Sequence, residues 1–168
     1  MRPIIEIYKN HIEISNPGSC LVDPEKIIES VPKARNERIV DVMRRLKICE
    51  IRGSGIDRTI EAVELLQLPA PKFENSDNAF KVYIYAYRPF EKLMTEEKLR
   101  ALYQHVTLLY IQQQFATNTS LRLRFGLGEK KTSVISKLVT SAKDSHLIKN
   151  FDPNSESKKY IKYVPIWA

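Results

Sequence analysis

No apolar run in these 168 residues approaches the roughly 20 needed to cross a bilayer; Ile4-Ile5 and Val106 to Ile111 are typical of the longest. The opening Met1-Arg2-Pro3-Ile4-Ile5-Glu6 is not laid out as a signal peptide, because Glu6 interrupts the apolar segment. A cytoplasmic protein without membrane contact is expected. Cysteine is scarce: Cys20 and Cys49 are too far apart for a close-spaced ligand pair. They read as reduced core thiols of a non-secreted chain, with a disulfide between them left open. The three histidines, His11, His105 and His146, are scattered, so no metal site is expected. Glycine is also scarce for a chain of this size, with five residues at 18, 53, 55, 126 and 128. Arg52-Gly53-Ser54-Gly55 is not a P-loop, since no Gly-Lys-Ser/Thr follows, and Arg58 stands where a dinucleotide fingerprint needs its third glycine. No catalytic residues emerge.

What is present is enough apolar material for a core (43%, mean hydropathy −0.33) and a charge of +7 that is unevenly placed. Residues 1–90 carry 14 basic and 13 acidic residues, whereas residues 91–168 carry 13 and 7. A neutral first half beside a basic second half points to a polyanionic partner for the second, although surplus lysine also serves solubility alone.

Periodicity predicts an α+β order. Ile5, Ile7, Ile12 and Ile14 alternate around Lys9-Asn10 as a hairpin, and Asn16-Pro17-Gly18 breaks the chain. Asp23-Pro24-Glu25 starts a short helix ending near Pro32. Helices follow over 36–47, with Ile39, Val42, Met43 and Leu46 on one face, and over 56–66; a strand covers 80–87. Arg88-Pro89-Phe90 marks the expected boundary between a first unit, 1–90, and a second, 91–168. The second reads as helix 95–114, short helix 118–125, glycine turn, helix 129–144, and strands 147–151 and 159–164 joined by 152–157. That is the order of a winged helix-turn-helix, whose third helix enters the major groove of double-stranded DNA.

The solvent face of that third helix carries Lys130, Ser133, Lys137 and Thr140, flanked by Lys131, Ser136 and Lys143, with no carboxylate between Glu129 and Asp144. Lysines suit phosphates, and the hydroxyls suit phosphates or base edges. The wing adds Lys158, Lys159 and Lys162, and the preceding helix adds Arg122 and Arg124. No arginine lies on the third helix, so the strongest guanine contact is missing there. Winged helices also serve as docking or homodimerisation modules, and the pattern leaves that use open. Tyr83, Tyr85 and Tyr87 alternate along one strand face and serve either as an exposed interface or, more usually, as the cover of a neighbouring helix.

Arg52 to Gly55 before a helix offers backbone N–H groups suited to an anion, though two glycines are commonly only a tight turn. The run Ile12-Glu13-Ile14-Ser15-Asn16-Pro17-Gly18, then Asp23-Pro24-Glu25, Arg35-Asn36 and Arg52-Gly53-Ser54-Gly55-Ile56, resembles one module. It is similar to the C-terminal part of the divergent GHKL-type ATP-binding domain of transcriptional regulators related to the ATP-dependent DNA helicase RecG. Those proteins commonly carry an N-terminal Schlafen-type AlbA-like DNA-binding domain, and many end in a winged helix resembling Leu99 to Ala168.

The resemblance implies a partial GHKL-like α/β sandwich followed by a winged helix. It implies that Asn16 and Gly18 form the first glycine box beneath an adenine, and that Gly53 and Gly55 lie near the phosphates. The family's helix bearing the Glu and Asn that hold Mg²⁺ precedes the Asn-Pro-Gly strand and is not among these residues. This chain alone is therefore expected to bind no cofactor and to hydrolyse no ATP. ATP and Mg²⁺, and a GHKL-type ATPase activity, are expectations for a longer protein. No helicase motor motif is present.

Overall fold

The computed structural model describes residues 2–49, 54–76, 78–153 and 161–168. The first half is built on a four-stranded antiparallel sheet in the order β1-β2-β4-β3. Its strands are β1 (Ile4–Ile7), β2 (His11–Pro17), β3 (Lys72–Ser76) and β4 (Ala79–Tyr85). Register sets Ile5 opposite Ile14 and Ile7 opposite Ile12, then Ile12 opposite Ile84, Ile14 opposite Val82, and Val82 opposite Phe73. Because side chains alternate with period two, these residues share one apolar face. The other face carries Tyr83 and Tyr85 stacked at 6.5 Å, with His11 and Tyr8 continuing the row.

Strand β3 was not expected. Only Phe73 is apolar in Lys-Phe-Glu-Asn-Ser, so the segment shows no alternation; it is a strand because β4 offers it a partner. The short helix expected to end near Pro32 shrinks to a 3₁₀ turn, Pro24–Lys26, although Asp23 does cap it by accepting the Glu25 N–H at 3.0 Å.

Helix α1 (Glu37–Arg45) is capped by Asn36, whose Oδ1 accepts the Ile39 N–H, and α2 (Ser54–Leu65) follows. Helix α2 buries Ile60 and Val63; α1 buries nothing, and its stripe lies open, with Ile39 55%, Val42 56% and Leu46 64% exposed.

The second half holds α3 (Thr95–Ile111), α4 (Asn118–Arg124), α5 (Thr132–Asp144) and the antiparallel strands β5 (Ile148–Asn150) and β6 (Tyr163–Pro165). Helix α3 stops at Ile111, short of Gln114, where Gln113 takes a left-handed φ of 60°. Thr117, the residue before the expected start of the helix, caps α4: its Oγ1 accepts the Ser120 N–H while Ser120 Oγ accepts the Thr117 N–H. A 3₁₀ turn, Glu129–Lys131, leads into α5. Ala116, just before α4, bridges Tyr163 and so ties the helix pair to the strand pair. Leu102, Val106, Leu121, Ile135, Val139, Ala142 and Ile148 form the core of this half.

Helix α3 is buried on two sides. Leu102 and Val106 face α4 and α5, while Leu108 closes a second cluster with Ile28 and Ile60 of the first half. No described helix is long and apolar enough to cross a membrane.

Candidate nucleic-acid interface and ligand cavity

Helix α5 is sorted by its period. Ile135, Leu138, Val139 and Ala142 recur at spacings of three and four and are buried against α3 and α4. Ser133, Ser136, Lys137 and Thr140 are exposed along the opposite side, and Lys130 and Lys131 are exposed in the 3₁₀ turn that feeds it. Some hydroxyls are partly committed. Ser136 Oγ donates to Thr132 O at 3.0 Å and accepts from Asn118 Nδ2 at 3.3 Å, and Thr140 Oγ1 donates to Ser136 O at 3.1 Å. Such back-bonding leaves each hydroxyl a spare acceptor lone pair, while the lysines remain the groups that can answer an anion.

Lysine 143 belongs elsewhere: it is half-buried with Nζ 5.3 Å from the Tyr163 ring, and burial lowers its pKa. Lys162 is exposed beside the Phe115 ring. The wing residues Lys158 and Lys159, like Gly53 and most of 152–157, lie outside the described residues.

The expected contribution of Arg124 is corrected by its burial. It is 6% exposed, Nη2 donates to Leu68 O at 2.9 Å, and Nε stands 3.4 Å from Glu64 Oε1. The Nε contact is an ion pair without hydrogen-bond alignment, since neither of those two atoms makes a hydrogen bond. Glu64 Oε2 accepts from His105 Nδ1 at 2.8 Å, and His105 Nε2 lies 3.1 Å from Ser120 Oγ. Nothing in the sequence spacing brings α2, α3 and α4 to this point; a buried arginine is legible only in three dimensions. Arg122 stays at the surface of α4, bonded to Asn118 Oδ1 and Thr119 Oγ1.

A cavity of about 430 Å³ lies at the other end of α2. It is walled by the 16–22 loop, by residues 27–35, and by Ile56 and Phe80. Asn16 and Gly18 both line it, whereas Gly55 sits exposed beside Ile56 and is not on the wall. Gly18 holds φ +86°, a left-handed value that favours glycine. The loop is fixed by three bonds: Gly18 N–H to Asn78 O, Cys20 N–H to Asn75 Oδ1, and Arg35 Nη2 to Ser19 O. Arg35 and Lys33, which the sequence reading gave no role, are both on the wall. Lys33 had no signal beyond its place among two cations in the four residues after Pro32, and Arg35 was quoted only within the Arg35-Asn36 pair of the family resemblance.

The family model described as "Putative ATP-dependent DNA helicase recG C-terminal" matches residues 1–84, half of the sequence and the part that contains this cavity. The chain belongs to that family. No curated protein matches it. Among solved structures, the DIP2311 protein from Corynebacterium diphtheriae is similar at 17% identity and a TM-score of 0.43, over 92% of this chain and 29% of that one. The chain thus spans less than a third of the length of that protein. The family match concerns the sheet, α1 and α2; the helices and strands beyond residue 84 lie outside it.

Proposed function

We propose that this chain is the DNA-binding C-terminal region of a transcriptional regulator, contacting duplex DNA through the outward side of α5. The second half is read as a winged helix-turn-helix, with α5 as the groove helix and the β5–β6 connection as the wing. One observation carries the reading: Lys130, Lys131, Ser133, Ser136, Lys137 and Thr140 are all exposed on one stretch whose reverse side is buried core. The order of helices and strands and the surplus of six positive charges beyond residue 90 support it.

The test is a polarisation titration with mixed-sequence duplex at low salt. Binding should weaken as salt rises, and replacing Lys130 and Lys137 together by Glu should abolish it. Absence of binding to any duplex at low salt would end the reading. A homodimer that buries α5, seen by light scattering, would favour a docking module instead.

A second reading concerns the cavity. Its coincidence with Asn16 and Gly18, inside the family match, favours a nucleotide-class ligand there. Thermal melting with and without ATP tests it, since a ligand that binds only the folded state raises the melting temperature.

A further inference from the structure

The second reading leaves open how a nucleotide's charge would be met, and the lining answers it differently from what a magnesium-dependent family implies. Of the described residues on the cavity wall, two are cations, Lys33 and Arg35, and none is an aspartate or glutamate. The side-chain oxygens are those of Asn16, Ser19 and Ser30, neutral donors that make poor anchors for a hard divalent ion. Magnesium is held through one or two carboxylates together with substrate phosphates, and the described residues of this wall supply none. The donor set does not fit the metal.

It fits an anion. Arg35 is already posed: its Nη2 donates to Ser19 O, and its guanidinium lies over Gly18, within 3.6 Å of where a Cβ would stand there. A planar guanidinium fixed by one bond keeps its other N–H groups for a phosphate at reduced entropic cost. Lys33, two residues earlier, is exposed and adds a mobile point charge. Leu21, Val22, Ile27, Val31, Ile56 and Phe80 make the rest of the wall apolar, as a flat heterocycle requires.

We infer that the cavity takes a nucleotide-class anion without a divalent metal, with Lys33 and Arg35 neutralising its phosphates. The inference rests on the nucleotide reading of the cavity. Calorimetric titration of the whole chain with ATP, adenosine and pyrophosphate, in EDTA and in magnesium chloride, separates the two.

ATP should bind in EDTA as well as in magnesium, and adenosine should bind at least about tenfold more weakly than ATP, since it forgoes the charge-assisted contacts. Lys33→Gln and Arg35→Gln should each lower ATP affinity by about tenfold and leave adenosine unchanged. Lys33→Gln removes no intramolecular bond described above, so it keeps the test valid even where Arg35→Gln disturbs the loop. Loss of ATP binding in EDTA, or an ATP-to-adenosine ratio indifferent to both variants, overturns the inference. Pyrophosphate binding that depends on Lys33 and Arg35, with no ATP or adenosine binding, upholds the two cations and overturns the nucleotide reading. No binding by any of the three overturns both.

Discussion

Replacing Arg124 by methionine removes a guanidinium that is 6% exposed while retaining most of the side chain's volume. Three contacts go with it: the bond to Leu68 O at 2.9 Å, the approach to Glu64 at 3.4 Å and the position 5.8 Å from the Phe125 ring centroid. Glu64 is left largely buried with only His105 beside it. Stranding one member of a buried ion pair costs about 3–5 kcal/mol, most of it the desolvation of the charge left behind. The misaligned Nε contact argues for the lower end, about 3 kcal/mol. In a protein of this size that corresponds to a melting temperature lower by about 6–12 °C.

The double variant Arg124→Met, Glu64→Gln removes both charges and should recover much of the loss, a coupling of about 1–3 kcal/mol in a double-mutant cycle. Urea denaturation of the four proteins measures it. If Arg124→Met alone lies within about 0.5 kcal/mol of the parent, the buried-charge reasoning is wrong. If the double variant is as unstable as the sum of the singles, the ion pair is not the cause. DNA affinity of Arg124→Met, measured where it is folded, should match the parent, because the exposed side of α5 is untouched.

Glu97 accepts the Met94 N–H at 2.9 Å and pairs with Arg88. Burial pushes its pKa up, but those two partners together with the Arg100 charge outweigh it and hold the carboxyl below the ordinary value. A depressed carboxylate stabilises above its unfolded pKa, about 4.3, and that contribution is lost as pH falls through the folded value. Glu97→Gln should therefore cost about 1–3 kcal/mol at pH 7 and flatten the acid limb of urea midpoints taken from pH 7 to 3. Gly126→Ala should cost about 1–2 kcal/mol in the same assay, because φ is +64° and the new Cβ would meet Gln67 Oε1 at 2.6 Å. Adding Gln67→Ala should relieve the contact and leave the backbone strain. Ile135→Ala, at a fully buried position, should cost about 2–5 kcal/mol, whereas Leu46→Lys on open α1 should change stability by less than about 0.5 kcal/mol.

The elements whose pattern is local were legible. The isoleucine hairpin, the period of α5 and the glycine turn before it each follow from residues within one or two turns of each other. What depended on a distant partner was not. Strand β3 has one apolar residue and forms because Val82 and Phe80 on β4 lie beside it. Arg124 looked like a second surface cation of α4 and is buried because Glu64, 60 residues earlier, reaches it. The α1 stripe of Ile39, Val42 and Leu46 had the period of a core helix, but period records only that one face is apolar, not that anything covers it. For the cavity, Asn16 and Gly18 were marked by the family resemblance, since turn chemistry alone showed Asn-Pro-Gly only as a chain break, while Arg35 becomes a wall residue only when residues 27–35 fold back over the 16–22 loop.

The composition shift at Arg88-Pro89-Phe90 is a change of chemistry and not a break in packing. Helix α3 shows why: Leu102 and Val106 serve the core of the second half, whereas Ala101, Gln104, His105 and Leu108 are buried as well. Gln104 donates to Pro71 O at 2.9 Å, and Tyr103 donates to Glu29 at 3.1 Å. An amphipathic helix in a three-helix unit needs one apolar stripe; α3 has contacts around most of its circumference because the first half supplies the second wall. The second wall combines the apolar cluster of Leu108 with Ile28 and Ile60 and these directional bonds at fixed positions. Helix α2 spans the junction, with Ile56 on the cavity wall at one end and Glu64 on His105 and Arg124 at the other. Lys137 on α5 and Lys130 and Lys131 in the turn before it are therefore carried on a unit that packs against residues of the first half.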